Sequence, residues 1–169
     1  IIVIDNGSAI ALAPEDLPAS PAVRLIRRDD GSSSPAAAIN AGVLQARGDV
    51  IAVMVDGARM VSPGIIRRSL EALVTGPNVL VATLGFHLGP KVQQISVDEG
   101  YDRQVENELL NTINWPSDGY RLFEISALGE SYRSGLMAAP HETTFFAMRR
   151  SRFQSCGGYD ERFVSLGGG

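Results

Sequence analysis

Two aspartates each come directly after a predicted buried strand. Asp5 follows the β-branched run Ile1–Ile4, and Asp56 follows the most hydrophobic stretch of the chain, Val50–Val55. In an open parallel sheet, ligands bind in the crevice beyond the carboxyl ends of the strands. Carboxylates at this edge can accept hydrogen bonds from a base or a ribose, or hold a metal ion that grips phosphates. Because aspartate is also common in turns, the residues alone leave open whether Asp5 and Asp56 only stabilise their turns.

Such a pair of carboxylates needs a sheet built from strands that alternate with helices. Strands are predicted at residues 1–4, 23–26, 50–55, 78–84 and 143–149. Helices are predicted at residues 35–48, 62–76 and 105–113, and a Ser151–Gln154 capping box opens a short helix that Gly157-Gly158 ends. Residues 9–21 are expected to be a loop with a short helix, and residues 114–137 stay unassigned. The predicted fold class is α/β, with a mostly parallel sheet flanked by helices in a single domain.

Each of the three longer helices carries an apolar face that we expect to turn towards the sheet. Ser34 is expected to cap the first of them. The inward residues expected are Ile39, Val43 and Ala46 in the first helix, Ile66, Leu70 and Leu73 in the second, and Val105, Leu109 and Ile113 in the third.

Composition excludes several classes of protein. The 169 residues suffice for one domain with a core, and a content of 44% hydrophobic and 20% charged residues is ordinary for a globular protein. A formal net charge of -4 argues against a nucleic-acid-binding surface. One cysteine, Cys156, cannot form an internal disulfide, which favours a reducing compartment. No apolar run reaches the length of a membrane span, and no signal peptide is visible.

Four segments of the chain match one known family in order and spacing. They are Ile2–Ser8, then Ala37–Gly48 with Asn40, Gly42 and Ala46 followed by Asp49, then Asp56-Gly57-Ala58 with Pro63-Gly64, and finally Phe153 with Gly157–Phe163. In this respect the chain resembles the family-2 glycosyltransferases of GT-A fold. The third segment is similar to the D-x-D motif of that family. The resemblance implies a GT-A-like fold in which residues 1–84 form the nucleotide-sugar-binding half and residues 85–169 the acceptor-side half of one domain.

The resemblance implies transfer of a sugar, with inversion, from a nucleoside-diphosphate sugar to an acceptor hydroxyl. The donor expected is a UDP-sugar, and the acceptor a saccharide or a lipid-linked molecule, in the assembly of cell-surface polysaccharide or glycolipid. The donor-binding residues implied are Asp5, Asn6, Asp56, Gly57 and Arg59. The acceptor-side residues implied are Trp115, His141, Glu142 and Tyr159. The location expected is the cytoplasm, including the inner face of the membrane. Self-association into a homo-oligomer is also compatible with this function.

Two positions depart from the family pattern. Ala58 stands where the second aspartate of D-x-D normally ligates Mg²⁺ or Mn²⁺, so Asp56 is the one metal ligand that the motif retains. Gly168 and Gly169 align with a family E-D pair whose aspartate resembles the catalytic base. Without an initiator Met and with three terminal glycines, the sequence is expected to be a piece of a longer chain, so that pair can lie beyond it.

No catalytic base is therefore assigned, and three residues are candidates: Asp160, His141 and Glu142. His141 and Glu142 are also explained as a polar pair in a surface loop. Asp160 is also explained as a loop-bracing carboxylate. Arg59 can either neutralise diphosphate charge or stay a solvated surface residue.

Three further residues have both a functional and a structural explanation. Trp115 suits stacking on a sugar ring as well as it suits the core. His87 is expected to be a loop or core histidine. Cys156 is expected to pack on an apolar helix face and not to react.

Two other nucleotide-binding folds are disfavoured. The first strand is not followed by the G-x-G-x-x-G of dinucleotide-binding enzymes, and Gly85–Lys91 lacks the spacing of a P-loop. A catalytically inactive GT-A-like module that binds nucleotide sugars or serves assembly remains the alternative.

Overall fold

The structure is a computed structural model that describes residues 1–29, 31–55, 61–134, 138 and 143–164. The strands are β1 Ile2–Asp5, β2 Arg24–Arg27, β3 Val50–Met54, β4 Leu80–Ala82, β5 Phe86–Leu88, β6 Ser126–Leu128 and β7 Phe145–Arg149. The α-helices are α1 Ala36–Gln45, α2 Ile65–Leu73, α3 Gln93–Asp98, α4 Arg103–Thr112 and α5 Arg150–Ser155. Short 3-10 helices lie at Pro14–Asp16, Gly119–Ile125 and Glu130–Tyr132. The predicted α/β class is confirmed.

The chain divides into two compact units. The first comprises residues 1–53, 77–79 and 148–169, and the second comprises residues 54–76 and 80–147. The predicted division at residue 84 into a donor and an acceptor half stays a prediction. Within the part of the chain that the structure describes, no helix is both long and apolar enough to cross a membrane.

A parallel strand pair forms the sheet of the first unit. Strands β1 and β2 pair in register from Ile2 opposite Arg24 to Asp5 opposite Arg27. Helix α1 packs on β1, where the side chain of Ile4 comes close to Gly42. Because the two strands are parallel, the chain leaves both of them at the same edge, as the sequence predicts for Asp5.

Helix α1 begins and ends inside its predicted range. Its N-cap is Pro35, yet the buried Ser34 hydroxyl still accepts a hydrogen bond from the Ala36 amide, at 3.2 Å. The helix ends at Gln45, before the predicted stop at Gly48. Ala36, Ala38 and Val43 are its buried residues, so of the predicted inward residues only Val43 reaches the core.

Strand β7 contributes the most continuous stretch of core. Its residues Phe145–Met148 are all buried, as expected for a strand covered on both faces. The sheet order is β3-β7-β4. In the first unit the Arg150 amide donates to Asp49, and in the second the Val55 amide donates to Thr144. From the first of these bonds to the second, the residue number rises from 49 to 55 on one strand and falls from 150 to 144 on the other, so β3 and β7 are antiparallel. The protein therefore has antiparallel strands as well as the parallel pair β1–β2.

Helix α2 buries only one of its three predicted inward residues, Leu73. Ser69 and Leu73 are its buried residues, whereas Ile66 and Leu70 are 53% and 46% exposed. The helix starts after Gly64, which takes a left-handed backbone conformation, and it contacts β4 of the same unit. This start rotates Ser69 into the interface, and the predicted inward positions of Ile66 and Leu70 are wrong.

Helix α4 forms where it is predicted, but of its predicted inward residues only Ile113 is buried, whereas Val105 and Leu109 are half-buried. The helix also has a cap that the sequence pattern did not single out. The Asp102 carboxylate accepts hydrogen bonds from the amides of Gln104 and Val105, which stabilises the first turn. At the other end, Ile113 is 2% exposed and anchors the helix in the core.

Helix α5 corrects two predictions. It begins at Arg150, and its N-cap Arg149 makes no side-chain capping bond, so the predicted Ser151–Gln154 capping box is wrong. The helix starts earlier because β7 leads directly into it and the Arg150 amide is already paired with Asp49. Cys156 is exposed after the last turn of the helix, and its predicted packing is also wrong.

Candidate functional site

Asp5 ends β1 with its carboxylate turned into the protein. One carboxylate oxygen accepts a hydrogen bond from the Ser8 amide at 2.9 Å. The other accepts from the Leu12 amide at 3.1 Å and from the Arg27 guanidinium. The Asp5 side chain is 1% exposed. A carboxylate has about four lone-pair directions, and the turn, Leu12 and the neighbouring strand together use at least three of them.

The electrostatics of Asp5 follow from these bonds. Hydrogen bonds from Ser8, then from the Leu12 amide and the Arg27 guanidinium, stabilise the charged form and hold the Asp5 pKa well below its usual range. Arg27 in turn has a raised pKa because Asp5 and Asp29 both accept from it. The Asp5–Arg27 pair joins the ends of β1 and β2. Asp5 is thus ionised at neutral pH and braces this sheet edge.

Asn6 ties the turn after β1 to the loop before α1. Its side-chain nitrogen donates to the carbonyl oxygens of Ser32, at 2.9 Å, and Ser34, at 3.3 Å. Two carbonyl partners fix the orientation of the amide, because only its NH₂ end can donate to them. The two loops also touch through backbone, since a Cβ at Gly31 would overlap the Asn6 carbonyl group. The edge therefore has two loops held together by side chain and backbone.

Asn40 forms a second connection, between α1 and the segment after α5. Its side-chain nitrogen donates to the Tyr159 carbonyl and to the Glu161 carboxylate, both at 2.9 Å. Its side-chain oxygen accepts from the Tyr159 amide, also at 2.9 Å. The Tyr159 ring lies 6.0 Å from that of Phe153, and burial raises the pKa of its hydroxyl. Tyr159 is accordingly held by its backbone and half-buried by its ring.

Asp160 is paired within its own loop. Its carboxylate accepts from the Arg162 guanidinium at 2.6–3.1 Å and from the Arg162 amide at 3.0 Å. These bonds lower the Asp160 pKa. A general base works best with a pKa near the operating pH, so this pairing disfavours Asp160 as the group that takes a proton.

A groove of about 460 Å³ lies between α1 and α5 in the first unit. Asn40, Leu44, Phe153 and Glu161 line part of it. The described lining includes neither Asp5 nor Asn6. This groove thus lies beside the Asn40 connection and not at the Asp5 carboxylate.

The comparisons with known proteins decide the family. The model of glycosyl transferase family 2 matches residues 1–151. The chain belongs to this family. The match covers the Asp5–Asn6 turn, helix α1 and the Asp56 segment of this glycosyltransferase. No curated protein and no solved structure matched it. The segment from Phe153 to Phe163, which the sequence also likened to the family, lies beyond the matched residues.

Several predicted site residues of the glycosyltransferase lie outside the described residues. These are Asp56, Gly57, Ala58 and Arg59 on the donor side, His141 and Glu142 on the acceptor side, and the terminal Gly168 and Gly169. Among the residues that the structure does describe, no group of three or more His, Cys, Asp or Glu side chains could hold a metal ion. The predicted roles of these residues stay predictions.

Trp115 and His87, both in the second unit, lie within the described residues. Trp115 is half-buried, and its ring lies close to the position that a Cβ on Gly119 would take. The His87 Nδ1 accepts a hydrogen bond of 3.0 Å from the Gln93 amide at the start of α3. His87 is thus a structural residue, as the sequence favoured.

Sequence reasoning missed Arg27 and the role of Asn40 in the glycosyltransferase. Arg27 ends the strand that pairs with β1, and the parallel register puts it opposite Asp5. Arg27 could have been found by looking for a basic residue at the end of the strand predicted to pair in parallel with β1. The Asn40–Tyr159 contact spans 119 residues and leaves no local pattern.

Proposed function

We propose that this glycosyltransferase binds a UDP-sugar at the carboxyl edge of β1 and β2 and transfers the sugar, with inversion, to an acceptor hydroxyl. The observation that carries the proposal is the family match over this edge, where Asp5–Arg27 and Asn6–Ser32 fix two adjoining loops. Ligands of open α/β sheets bind beyond the carboxyl ends of the strands. Loops fixed before the ligand arrives lose little freedom on binding.

Asn6 is the residue we propose for direct contact with the base. Its NH₂ end is committed to Ser32 and Ser34, so its side-chain oxygen faces away from them. Within the described residues, no hydrogen bond to that oxygen is made. A uracil ring offers one N–H donor next to carbonyl acceptors, which matches a fixed amide oxygen. Asp5 then acts indirectly, because its carboxylate is buried and its bonds maintain the turn that carries Asn6.

The proposed reaction forms one bond and breaks one. The acceptor oxygen attacks the anomeric carbon as a base takes its proton, and the bond between that carbon and the diphosphate oxygen breaks. UDP leaves with the bonding electrons. His141 and Glu142 remain the proposed candidates for the base, since Asp160 is paired with Arg162. We propose cell-surface polysaccharide or glycolipid assembly as the setting on the family resemblance alone.

A divalent cation fits this chain less well than it fits the family motif. Mg²⁺ and Mn²⁺ prefer oxygen ligands, and the methyl group of Ala58 supplies none. Asp56 would hold the ion together with oxygens of the diphosphate. The ion would supply charge neutralisation of the leaving group, and Arg59 is the residue of this chain that can contribute the same charge.

Calorimetric titration with UDP, in Mn²⁺ and in EDTA, tests donor binding directly. We expect binding with a Kd of about 10 μM to about 1 mM, and Asn6→Ala should weaken it by about tenfold. Ser33→Ala is the matched control, because Ser33 is exposed in the same loop and Asn6 bonds to the carbonyls of Ser32 and Ser34. No heat in either buffer, for a protein that melts cooperatively, would contradict the proposal.

A catalytically inactive donor-binding module is the second candidate. Ala58 in the metal motif and the pairing of Asp160 with Arg162 both favour it. Incubation with UDP-glucose, UDP-galactose and UDP-N-acetylglucosamine, followed by NMR of the products, separates the two functions. An enzyme releases UDP and yields a product of inverted anomeric configuration. UDP binding with no release of UDP from any of the three sugars favours the inactive module.

A further inference from the structure

Three exposed aromatic rings lie side by side in the second unit. Phe86 is in β5, and Tyr120 and Phe123 are in the 3-10 helix Gly119–Ile125. The Phe86 and Phe123 rings meet edge to face with centroids 4.9 Å apart, and the Phe123 and Tyr120 rings are 6.5 Å apart at an interplanar angle of 27°. Their exposed fractions are 41%, 53% and 49% in chain order. Contiguous exposed apolar surface of this kind often marks a binding site. We call these three residues the aromatic strip.

The backbone under the aromatic strip is held from several sides. Phe86 pairs with Leu128 across the antiparallel strands β5 and β6. The Tyr120 amide donates to the Asp118 carboxylate at 3.1 Å, and the Tyr120 hydroxyl donates to the Pro63 carbonyl at 2.9 Å. A Cβ on Gly119 would lie 2.9 Å from the Pro63 ring, so glycine permits this close approach. The rings are therefore positioned before a ligand arrives, which favours binding.

The charges next to the aromatic strip exclude a basic docking surface. Arg121 and Glu124 form a bidentate ion pair, with donor–acceptor distances of 2.9–3.2 Å, and both side chains are partly exposed. Together with Asp118, the local charge is negative by one. Anionic lipid surfaces and nucleic acids require a basic excess. A ligand that suits this surface is uncharged and has both an apolar face and hydroxyl groups.

A pyranose ring has that chemistry. Its axial C–H groups form an apolar face that packs on an aromatic ring, while its hydroxyls project from the rim. The paired Arg121 and Glu124 side chains place donors and acceptors within the same helix as Tyr120 and Phe123.

We propose that Phe86, Tyr120 and Phe123 form a saccharide subsite that stacks neutral pyranose units of the acceptor. This inference rests on the proposed glycosyltransferase function and narrows its acceptor to a saccharide.

Titration of the ¹⁵N-labelled protein with cellohexaose, maltohexaose and chitohexaose, followed by amide NMR shifts, tests the subsite. We expect at least one of the three to shift amides of residues 119–128 in a saturable way. Phe123→Leu should weaken that binding by about fivefold or more, because an aliphatic side chain offers no ring face. Phe123→Tyr should retain it. Phe163→Leu, which removes a ring that is 51% exposed in the first unit, is the control and should change nothing.

Several results would overturn the subsite. One is the absence of saturable shifts for all three saccharides, and another is equal affinity in Phe123→Leu, which would show general apolar binding. Binding of phosphatidylglycerol vesicles that survives Phe123→Leu would identify a membrane contact instead. If Phe123→Leu melts far below the parent protein, Tyr120→Leu serves as the second ring deletion.

UDP titration of the same samples separates this inference from the proposed function. UDP binding without saccharide binding refutes the subsite alone. The opposite result is saccharide binding that Phe123→Leu weakens, in a protein that binds no UDP. It would refute the donor site, and the strip would then have no acceptor to bind.

Discussion

Asn40 and Tyr159 are 119 residues apart and exchange two hydrogen bonds, one in each direction, both 2.9 Å long. The side-chain amide of Asn40 donates to the Tyr159 carbonyl and accepts from the Tyr159 amide, as a backbone amide group does in a β-sheet. Its remaining N–H donates to Glu161. The segment after α5 therefore takes its position from a side chain of α1. That segment leads towards the end of the chain, where the family pattern expects its catalytic carboxylate.

Replacing Asn40 with alanine should release this segment. Each net hydrogen bond contributes about 1 kcal/mol, and the bond to Glu161 is exposed, so we expect Asn40→Ala to lower the free energy of unfolding by about 2 kcal/mol. Urea unfolding, followed by circular dichroism, measures the change.

Asn40→Asp should be worse than Asn40→Ala. A carboxylate would lose both donated bonds and would face the Tyr159 carbonyl and the Glu161 carboxylate. Repulsion in a partly buried position adds to the lost bonds. Equal unfolding midpoints for Asn40→Asp and the parent would show that the amide does not hold the segment.

Two adjacent glycines provide a matched test of the same contact. Gly157 and Gly158 both have left-handed backbone angles, with φ of 89° and 71°. A Cβ at Gly158 would lie 2.6 Å from the Asn40 side-chain oxygen, whereas a Cβ at Gly157 has nothing within 4 Å. Gly157→Ala should cost about 1 kcal/mol of stability through backbone strain alone.

Gly158→Ala should cost clearly more, by about 1–2 kcal/mol beyond Gly157→Ala, because Asn40 must move. Comparison of the two melting curves isolates the contact from the strain. If the two variants melt together, Asn40 and Gly158 are not packed as described.

The sequence predicted the local parts of this fold well. The apolar runs at Ile1–Ile4 and Val50–Val55 predicted β1 and β3, because continuous β-branched and apolar residues favour strands. The predicted burial of these strands is wrong in part, since Ile2–Ile4 are half-buried and Ala52 and Met54 are exposed. The same reasoning placed Asp5 at the carboxyl edge of the sheet. The sequence could not predict that Asp5 is buried and bonded to Arg27. This contact depends on the register between β1 and β2, which neither strand's own sequence determines.

The antiparallel pair β5–β6 was missed for a related reason. Phe86–Leu88 and Ser126–Leu128 are three residues each and are separated by 37 residues, so neither is long enough to show alternation. The aromatic strip depends on this pair and on a 3-10 helix, whose short turns have no long apolar period. Trp115 and Tyr159 were the aromatic residues chosen from the sequence for the acceptor side, whereas the exposed rings of the strip are Phe86, Tyr120 and Phe123.

Asp5 should make the protein sensitive to acid. Its pKa is lowered in the folded state, so its bonds stabilise the protein above the ordinary pKa of aspartate, about 3.9, and this contribution is lost as the pH falls from there towards the lowered value. In Asp5→Asn, the decline in the free energy of unfolding below about pH 4 should be shallower. Urea titrations at a series of pH values measure the slope.

Asp160→Asn is the comparison for the acid experiment. The Asp160 pKa is lowered by Arg162, whose side chain is 90% exposed, and solvent screens such a pair. Its replacement should change the slope less than that of Asp5. A steeper or unchanged slope in Asp5→Asn would contradict the role of Asp5 as an ionised brace.

Restoring the second aspartate of the D-x-D-like segment tests how the diphosphate is neutralised. Ala58→Asp adds an oxygen ligand next to Asp56, and we expect it to tighten UDP binding by about tenfold in Mn²⁺. In EDTA the added carboxylate should weaken binding, because it repels the diphosphate when no cation lies between them. Asp56→Ala should weaken UDP binding about tenfold in Mn²⁺. Calorimetry in the two buffers reads both effects, and an Ala58→Asp protein indifferent to Mn²⁺ would mean that this segment does not approach the phosphates.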